Sequence, residues 1–240
     1  MNYNLITDQS EFYFNSKTNR YHFKDTNRFV NGNQFRSLTR KFLRFQRKKI
    51  QSLTSDILDN ALPHPQWREE TLKALKNLAI QSYVLERGGA QRMNAHDQEL
   101  LSKHLAKQFR YFRNLSAQIN QGLLDPKESK RRIDLYIQNV GAADSIAQLR
   151  NEAELVSDGA WSFRVRGNIL SCPDCERYAA RGAMPIHQQI APGTFCVCGS
   201  YCDCTLFIFK DEFTAKESLR TGNRKGGRKV SRRKFTVTVR

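Results

Sequence analysis

The chain has 240 residues, enough for one or two domains with a real core, and 39% of them are hydrophobic. Lysine and arginine number 40 against 23 aspartates and glutamates, so the formal net charge is +17. This excess predicts a polyanionic partner, either nucleic acid or an acidic protein or membrane surface. No apolar run approaches the roughly 20 residues that span a bilayer, and the N-terminus lacks the pattern of a secretory signal. We therefore expect a protein made and kept in a reducing cytoplasm, with no place in a membrane.

Aromatic and polar residues fill positions 1–33, which we assign as an N-terminal arm. Alternate aromatics on both sides of the turn-rich sequence NSKTN predict a short hairpin or an extended arm. Because exposed aromatic side chains are unfavourable in water, we expect the arm to pack on the body of the chain or on a neighbouring subunit. The candidate subunit-contact residues are Phe12, Phe14, Tyr21, Phe23 and Phe29.

Residues 34–156 are predicted to form a helical bundle, because apolar residues recur at steps of three and four. The first helix starts at Gln34 and ends before the prolines of ALPHPQW. The second covers about 66–86 and the third about 94–121, and the glycines of RGGAQ separate them. A fourth helix begins with Asp125 as cap and Pro126 in its first turn, and runs to about Leu155.

Beyond this bundle the pattern changes to that of strands. WSFRVRG alternates apolar and basic residues, and CTLFIF has strand composition, so we assign 157–210 as a cysteine-rich β subdomain. Residues 211–240 form a basic tail whose glycines argue against independent folding, so that any order in it would come from a partner. The expected fold class is mainly α: a helical bundle with a small, zinc-stapled C-terminal β subdomain and extended arms at both termini.

All six cysteines lie between Ser171 and Leu206. The C-x-x-C spacing of Cys172 and Cys175 allows two thiolates to bind the same tetrahedral zinc ion, and the later cysteines supply the other ligands. In a reducing compartment such a cluster favours a structural metal site over disulfides. Cys172 and Cys175 are candidate ligands, and any two of Cys196, Cys198, Cys202 and Cys204 can supply the remaining two.

Other kinds of site fit the sequence less well. Disulfides that form after assembly or release remain an alternative to zinc, whereas a thioredoxin-like centre would need a βαβ pattern that the sequence lacks. His187 is more typical of a loop histidine than of a ligand, since thiols are already in surplus. The five histidines are scattered singly, and no nucleophile motif or phosphate-binding loop is present, so we expect a protein that is not an enzyme.

Two clusters hold much of the positive charge, one on the first helix and one in the tail. Phosphate contact is the strongest general reason for such clusters, although a solvated basic face is the usual alternative. Contact with nucleic acid would be independent of base sequence, because no element resembles a base-reading helix. The candidate contacts to nucleic acid or to an acidic partner are Arg36, Arg40, Lys41, Arg44, Arg47, Lys48, Arg224, Lys225, Arg228, Lys229, Arg232, Arg233 and Lys234.

Three stretches together resemble a group of tailed-bacteriophage virion proteins, akin to the minor head or head-morphogenesis family. RYHFKDTNRFVN is similar to an R-Y-x-D-x-x-x-G-R-F-V-S signature, and CPDCERYAARGAMPI with APGTFCVCGSYCDCTL is similar to C-P-x-C, A-x-x-G, P and C-x(3)-C-x-C-x-L elements. The segment from HLAKQF to IQNVGAA resembles the region between them. The chain departs at Asn27, where the signature has Gly, at Asn31, where it has Ser, and in an additional Cys196.

The resemblance implies a structural role in the head or portal vertex, within a large oligomeric assembly. Its implied partners are phage head or portal proteins and packaged DNA, and its implied location is the virion, assembled in the host cytoplasm. Matching alone gives Cys172, Cys175, Cys198 and one of Cys202 or Cys204 as zinc ligands, with Cys198 near the position of a family histidine. The alternative function is a zinc-ribbon nucleic-acid-binding regulator or processing factor, which has little use for an aromatic N-terminal arm.

Overall fold

The structure is a computed structural model that describes residues 12–15, 17–18, 20–155, 159–167, 172–196 and 202–231. The chain divides into two compact units, Met1–Asp144 and Ser145–Arg240. The first contains a small hairpin and a set of helices, and the second contains an antiparallel sheet with the cysteines. The expected fold class, mainly helical with a small C-terminal sheet and a cysteine cluster, is confirmed.

The predicted N-terminal hairpin consists of β1 (Phe12–Asn15) and β2 (Arg20–Phe23), paired antiparallel with Phe12 opposite Phe23. The Asn15 carboxamide oxygen accepts the backbone N–H groups of Lys17 and Thr18, which closes the turn. Two contacts anchor the segment to the rest of the unit: the Tyr21 hydroxyl donates to the Leu85 carbonyl at 2.7 Å, and Val30 is buried. The hairpin therefore packs on the body of its own chain.

Three long helices follow, close to the predicted bounds: α1 (Gly32–Leu58), α2 (His64–Arg87) and α3 (Ala95–Asn120). Reciprocal bonds between Asn31 and Gln34 begin α1, and a capping box between Asn94 and Asp97 begins α3. Gly88, in the left-handed conformation with φ of 93°, ends α2 as the sequence RGGAQ indicates. A single 3₁₀ turn, Ala90–Arg92, joins α2 to α3.

The fourth predicted helix, from Asp125 to Leu155, is wrong in extent because the structure contains two helices there. Asp125 caps α4 (Pro126–Gly141) as expected, accepting the Glu128 N–H at 2.7 Å, but a break at Ala142 separates α4 from α5 (Ala143–Leu155). The boundary between the two units falls within α5. The residues around the break include one glycine and no proline, so the sequence carries no strong stop signal.

The core of the helical unit is built on aromatic and aliphatic side chains of α2, α3 and α4. Trp67 and Phe112 are fully buried and their ring centroids lie 5.6 Å apart, and Tyr136 meets Phe112 edge to face. Towards the other end of these helices, a buried polar network joins α2 to α3: Asp97 accepts the Tyr83 hydroxyl at 2.7 Å and pairs with Arg87 at 3.1 Å. This network ties the end of α2 to the start of α3.

The C-terminal unit is organised around a four-stranded antiparallel sheet in the order β4-β3-β5-β6. Its strands are β3 (Trp161–Val165), β4 (Met184–Pro185), β5 (Thr205–Phe209) and β6 (Arg228–Ser231). Both predicted strands, in WSFRVRG and CTLFIF, are confirmed as the central pair, with Phe163 opposite Phe207. Two helices cover β3: α6 (Pro173–Ala180) and α7 (Glu212–Thr221).

The expectation that the basic tail gains order only from a partner is wrong for residues 211–231. Asp211 caps α7 by accepting the Thr214 N–H at 2.7 Å, and β6 pairs with β5 through Leu206 opposite Val230. Phe163, Phe207, Phe209 and Ala215 form the small apolar core between the sheet and α7. Residues 232–240, including the strand-like KFTVTVR, lie outside the described part of the chain.

No helix among the described residues is both long and apolar enough to cross a membrane.

Candidate metal centre

The cysteines are positioned by the start of α6 and the start of β5. Cys172 is the N-terminal cap residue of α6, Pro173 occupies the first turn where no N–H is needed, and Cys175 follows in the same turn. Cys202 and Cys204 immediately precede β5, which begins at Thr205. The C-x-x-C pair thus opens a short helix.

Three sulfur atoms converge at this place. The Sγ atoms of Cys175, Cys202 and Cys204 all lie within 4.8 Å of one another, and all three residues are buried. The Cys175 and Cys202 sulfurs are 3.7 Å apart. In a tetrahedral zinc–thiolate centre with Zn–S bonds of about 2.3 Å, neighbouring sulfurs are separated by about 3.8 Å. The spacing of these cysteines could therefore accommodate a metal ion.

Further cysteines surround these three. Cys196 is buried in the same cluster, and Cys172, half-buried, packs against it together with Ile190. Within the described residues no disulfide joins these cysteines. Of the predicted ligands, the structure thus brings together Cys172, Cys175, Cys202 and Cys204, whereas Cys198 lies outside the described residues. We define Cys172, Cys175, Cys196, Cys202 and Cys204 as the cysteine cluster.

The surroundings of Cys204 favour the thiolate, the form of cysteine that binds metals. Hydrogen bonding with Cys202 is the main influence that lowers the pKa of the Cys204 thiol, and the charge of Arg164 acts in the same direction. The N-terminus of α6, the positive end of its helix dipole, lies at Cys172 and Cys175.

Arg164 is a site residue that the sequence analysis missed. The alternation of WSFRVRG predicts an outward arginine, yet Arg164 is only 3% exposed. Its guanidinium lies over the Tyr178 ring, 5.1 Å from the centroid, and Nη2 donates to the Ile190 carbonyl. Tyr178 belongs to the hydrophobic cluster of the cysteines, and Ile190 packs against it. The Arg164 side chain is buried because α6 covers its face of β3, where Tyr178 contacts it. The opposite face, which carries Phe163, is covered by α7 through Ala215.

Histidines do not contribute to the cluster in the described part of the chain, where the three buried thiols are the one group spaced for a metal. His187 is exposed in a 3₁₀ turn, in line with its prediction as a loop residue. His104, in contrast, is fully buried in the helical unit, and burial lowers its pKa to about 4.

The basic residues of α1 differ in what they are available to bind. The Arg47 guanidinium pairs with the Asp134 carboxylate at 2.8 Å inside the bundle, an arrangement that Gln51 completes. Lys41, Arg44 and Lys48 are exposed. The side chains of Arg36 and Arg40 lie outside what the structure describes.

In the C-terminal unit, Arg224, Lys225, Arg228 and Lys229 are exposed. Arg224 and Lys229 flank the Phe207 ring at 5.1 and 5.4 Å, and Arg228 pairs with Glu152. An open groove of about 660 Å³ beside the end of β3 has Arg164, Arg166 and Arg224 among its lining residues. Arg232, Arg233 and Lys234 lie outside the described residues.

The candidate subunit-contact aromatics of the arm are used unequally within the chain. Tyr21 is only 9% exposed, Phe23 is half-buried, and Phe29 is 53% exposed with the Arg20 guanidinium over its ring. The side chains of Phe12 and Phe14 lie outside the described residues. Phe29 is therefore the described arm aromatic that offers most surface to a neighbour.

Comparison of the chain with protein-family models, with curated proteins and with solved structures finds no match.

Proposed function

We propose that the cysteine cluster holds one structural zinc ion, with Cys175, Cys202 and Cys204 as three of its ligands and Cys172 as the fourth. The observation that carries the proposal is the convergence of three buried Sγ atoms within 4.8 Å. Cys172 is assigned because a C-x-x-C pair commonly supplies two ligands to one zinc ion and because this residue packs against the cluster.

The surroundings favour a structural over a catalytic role for the metal. Catalytic zinc sites keep one position for water or substrate, whereas structural sites are closed by four protein ligands. Here the three converging thiols are at most 3% exposed. The zinc ion would link α6 to β5 and so stabilise a unit whose apolar core is small.

Metal analysis of the purified full-length chain tests this assignment. We expect about one zinc per chain, and tetrathiolate absorption bands when cobalt replaces zinc. Cys172→Ser should weaken binding and alter the cobalt spectrum, whereas Cys196→Ser, a matched change in the same cluster, should leave both unchanged. A chain purified without metal that takes up neither ion would refute the zinc site.

For the whole protein we propose a structural, non-enzymatic component of a tailed-phage virion, located in the head or at the portal vertex. The resemblance of sequence motifs carries this proposal, and two backbone conformations support it. Asn27, which stands where the signature has Gly, has a φ of 51°, and Gly182 of the A-x-x-G element has a φ of 73°. Glycine is favoured at such positions, and asparagine is among the residues that best replace it.

The excess positive charge of the protein would face packaged DNA or an acidic neighbour in the particle. Support comes from the exposed residues Lys41, Arg44 and Lys48 of α1 and Arg224, Lys225 and Lys229 of the C-terminal unit. Binding to non-specific duplex DNA should weaken steeply with salt, and neutralising the tail residues should flatten the log–log slope by about 0.9 for each phosphate that the protein no longer neutralises. An unchanged affinity and slope would assign the tail to an acidic protein surface.

The decisive experiment for the role in the virion is quantitative mass spectrometry of purified particles. A head or portal-vertex protein should be present in a fixed copy number and should remain after the particles are washed at high salt. Presence in infected cells but absence from particles would refute the proposal and favour the zinc-ribbon regulator of nucleic acid. Phe29→Ser should reduce incorporation if the exposed part of the arm contacts a neighbouring subunit.

A further inference from the structure

Arg164 carries a buried positive charge whose hydrogen-bonding capacity is only partly used. The residue is 3% exposed, and of its guanidinium nitrogens Nη2 donates to the Ile190 carbonyl. Nε and Nη1 are buried without a hydrogen-bond acceptor among the described residues. Arginine cannot relieve this cost by losing a proton, because its guanidinium remains charged in proteins. A buried, permanently charged group of this kind requires a nearby negative charge.

Three arginines surround Tyr178, but only Arg164 is buried. Arg164, Arg177 and Arg181 each place a guanidinium over the ring, at 5.1, 5.5 and 5.3 Å from the centroid. Arg177 is paired with Asp174 at 2.8 Å, and both Arg177 and Arg181 are exposed, so water screens their charges. Arg164 is therefore the buried cation beside a ring that packs in the cysteine cluster.

We propose that Arg164 is the counter-charge of the metal–thiolate centre, and that its Nε–H and Nη1–H groups, which have no acceptor among the described residues, donate to thiolate sulfurs of the cysteine cluster when metal is bound. The inference rests on the proposed zinc site and adds a positioning residue to it. Four thiolates and one Zn²⁺ carry a net charge of minus two, part of which the Arg164 guanidinium would offset. Neutral thiols would leave the Arg164 charge uncompensated, since they are weak hydrogen-bond acceptors.

Donation to the thiolates adds a geometric effect to this electrostatic one. N–H groups that donate to a thiolate also hold its orientation, as outer-shell partners of metal ligands commonly do.

The test measures the zinc affinity of the full-length protein by competition with a chelator of known affinity. Arg164→Gln, which keeps the shape but removes the charge, should weaken zinc binding about 10- to 100-fold. Arg164→Lys keeps the charge but not the planar fork, so its affinity should fall between those of Arg164→Gln and the wild type. Arg166→Gln is the matched control, because this neighbour is exposed and paired with Glu176, and its affinity should equal the wild type.

Cobalt spectra distinguish hydrogen bonding of Arg164 to the thiolate sulfurs from a role of Arg164 in packing alone. Loss of hydrogen bonds to thiolates should shift the sulfur-to-cobalt charge-transfer band of Arg164→Gln at unchanged stoichiometry. Equal zinc affinity and an identical band in Arg164→Gln would overturn the inference while leaving the zinc site intact. Equally weak Lys and Gln variants would overturn it in favour of packing. A wild-type chain that binds no metal would instead refute the zinc site itself, and the inference with it.

Discussion

Removal of the metal should destabilise the C-terminal unit and spare the helical unit. Cys175 and Cys202, 27 positions apart, are proposed to bind the same ion, so the metal closes the loop between them. A cross-link around a loop of this length stabilises by about 3–4 kcal/mol through chain entropy alone. In a domain of 60–100 residues each kcal/mol shifts Tm by about 4–8 °C, so chelation should lower the Tm of this unit by about 12–30 °C.

The two tryptophans provide the assay, because Trp67 lies in the helical unit and Trp161 in the C-terminal unit. Trp67→Phe leaves Trp161 as the fluorescent reporter, and Trp161→Phe leaves Trp67. Thermal unfolding with and without chelator should move the Trp161 transition and leave the Trp67 transition in place. The Cys175→Ser variant should reproduce the effect of chelation without a chelator. A Trp161 transition that chelation does not move would refute the reasoning.

Three further predictions follow from particular contacts. Asp97→Ala should destabilise the helical unit by about 3–5 kcal/mol in urea titrations, because it leaves the Arg87 charge buried without its carboxylate. Burial lowers the pKa of His104 to about 4 from its ordinary 6.5, so below pH 6.5 the unfolded state binds a proton that the folded state does not. The stability of the helical unit should therefore fall by about 2 kcal/mol between pH 7 and pH 5, as urea titrations at the two pH values would show. Gly167→Ala should weaken zinc binding without touching a ligand, because the added Cβ would lie 2.1 Å from the carbonyl oxygen of Asp203, between Cys202 and Cys204.

Each of these changes has a control within the chain. Lys103→Ala removes an exposed i,i+4 pair with Glu99 and should cost under about 0.5 kcal/mol, in contrast to Asp97→Ala. His104→Gln should abolish the loss of stability between pH 7 and pH 5, and a loss that persists in this variant would assign it to another group. Gly159→Ala meets its nearest atom at 3.9 Å and should bind zinc like the wild type, so equal effects of the two glycine changes would contradict the clash at Asp203.

The helices and the central strands could be predicted because local signals coincide with tertiary packing. Apolar periodicity, the Asp125–Pro126 start and the glycines after Arg87 all act within a few residues, and the structure confirms them. The helix α7 also had its cap, Asp211, and an αL glycine, Gly222, at its end. It was missed because the surrounding basic residues were interpreted as a tail, although its stability comes from Ala215 packing against the sheet.

The candidate site was predictable only in part, because residue type and spacing indicate chemistry but not burial. The C-x-x-C pair and the later cysteines pointed to a metal site, and the structure brings Cys175, Cys202 and Cys204 together. Spacing left Cys196 open as a possible ligand and only the family resemblance treated it as additional, whereas the structure places it in the same cluster. Arg164 was beyond prediction for a physical reason: alternation in a strand tells which residues share a face, not whether a second layer covers that face.

The described sheet has an edge on each side, and both edges are poorly suited to pairing with a further strand. At one edge β4 has only two residues, and Pro185 has no N–H to donate. At the other edge β6 carries Arg228 and Lys229, both exposed, and charged side chains on an edge oppose the approach of a second sheet. Many copies of this unit could therefore be crowded together without joining edge to edge into aggregates, and contacts between neighbouring copies would fall to side chains rather than to shared backbone hydrogen bonds.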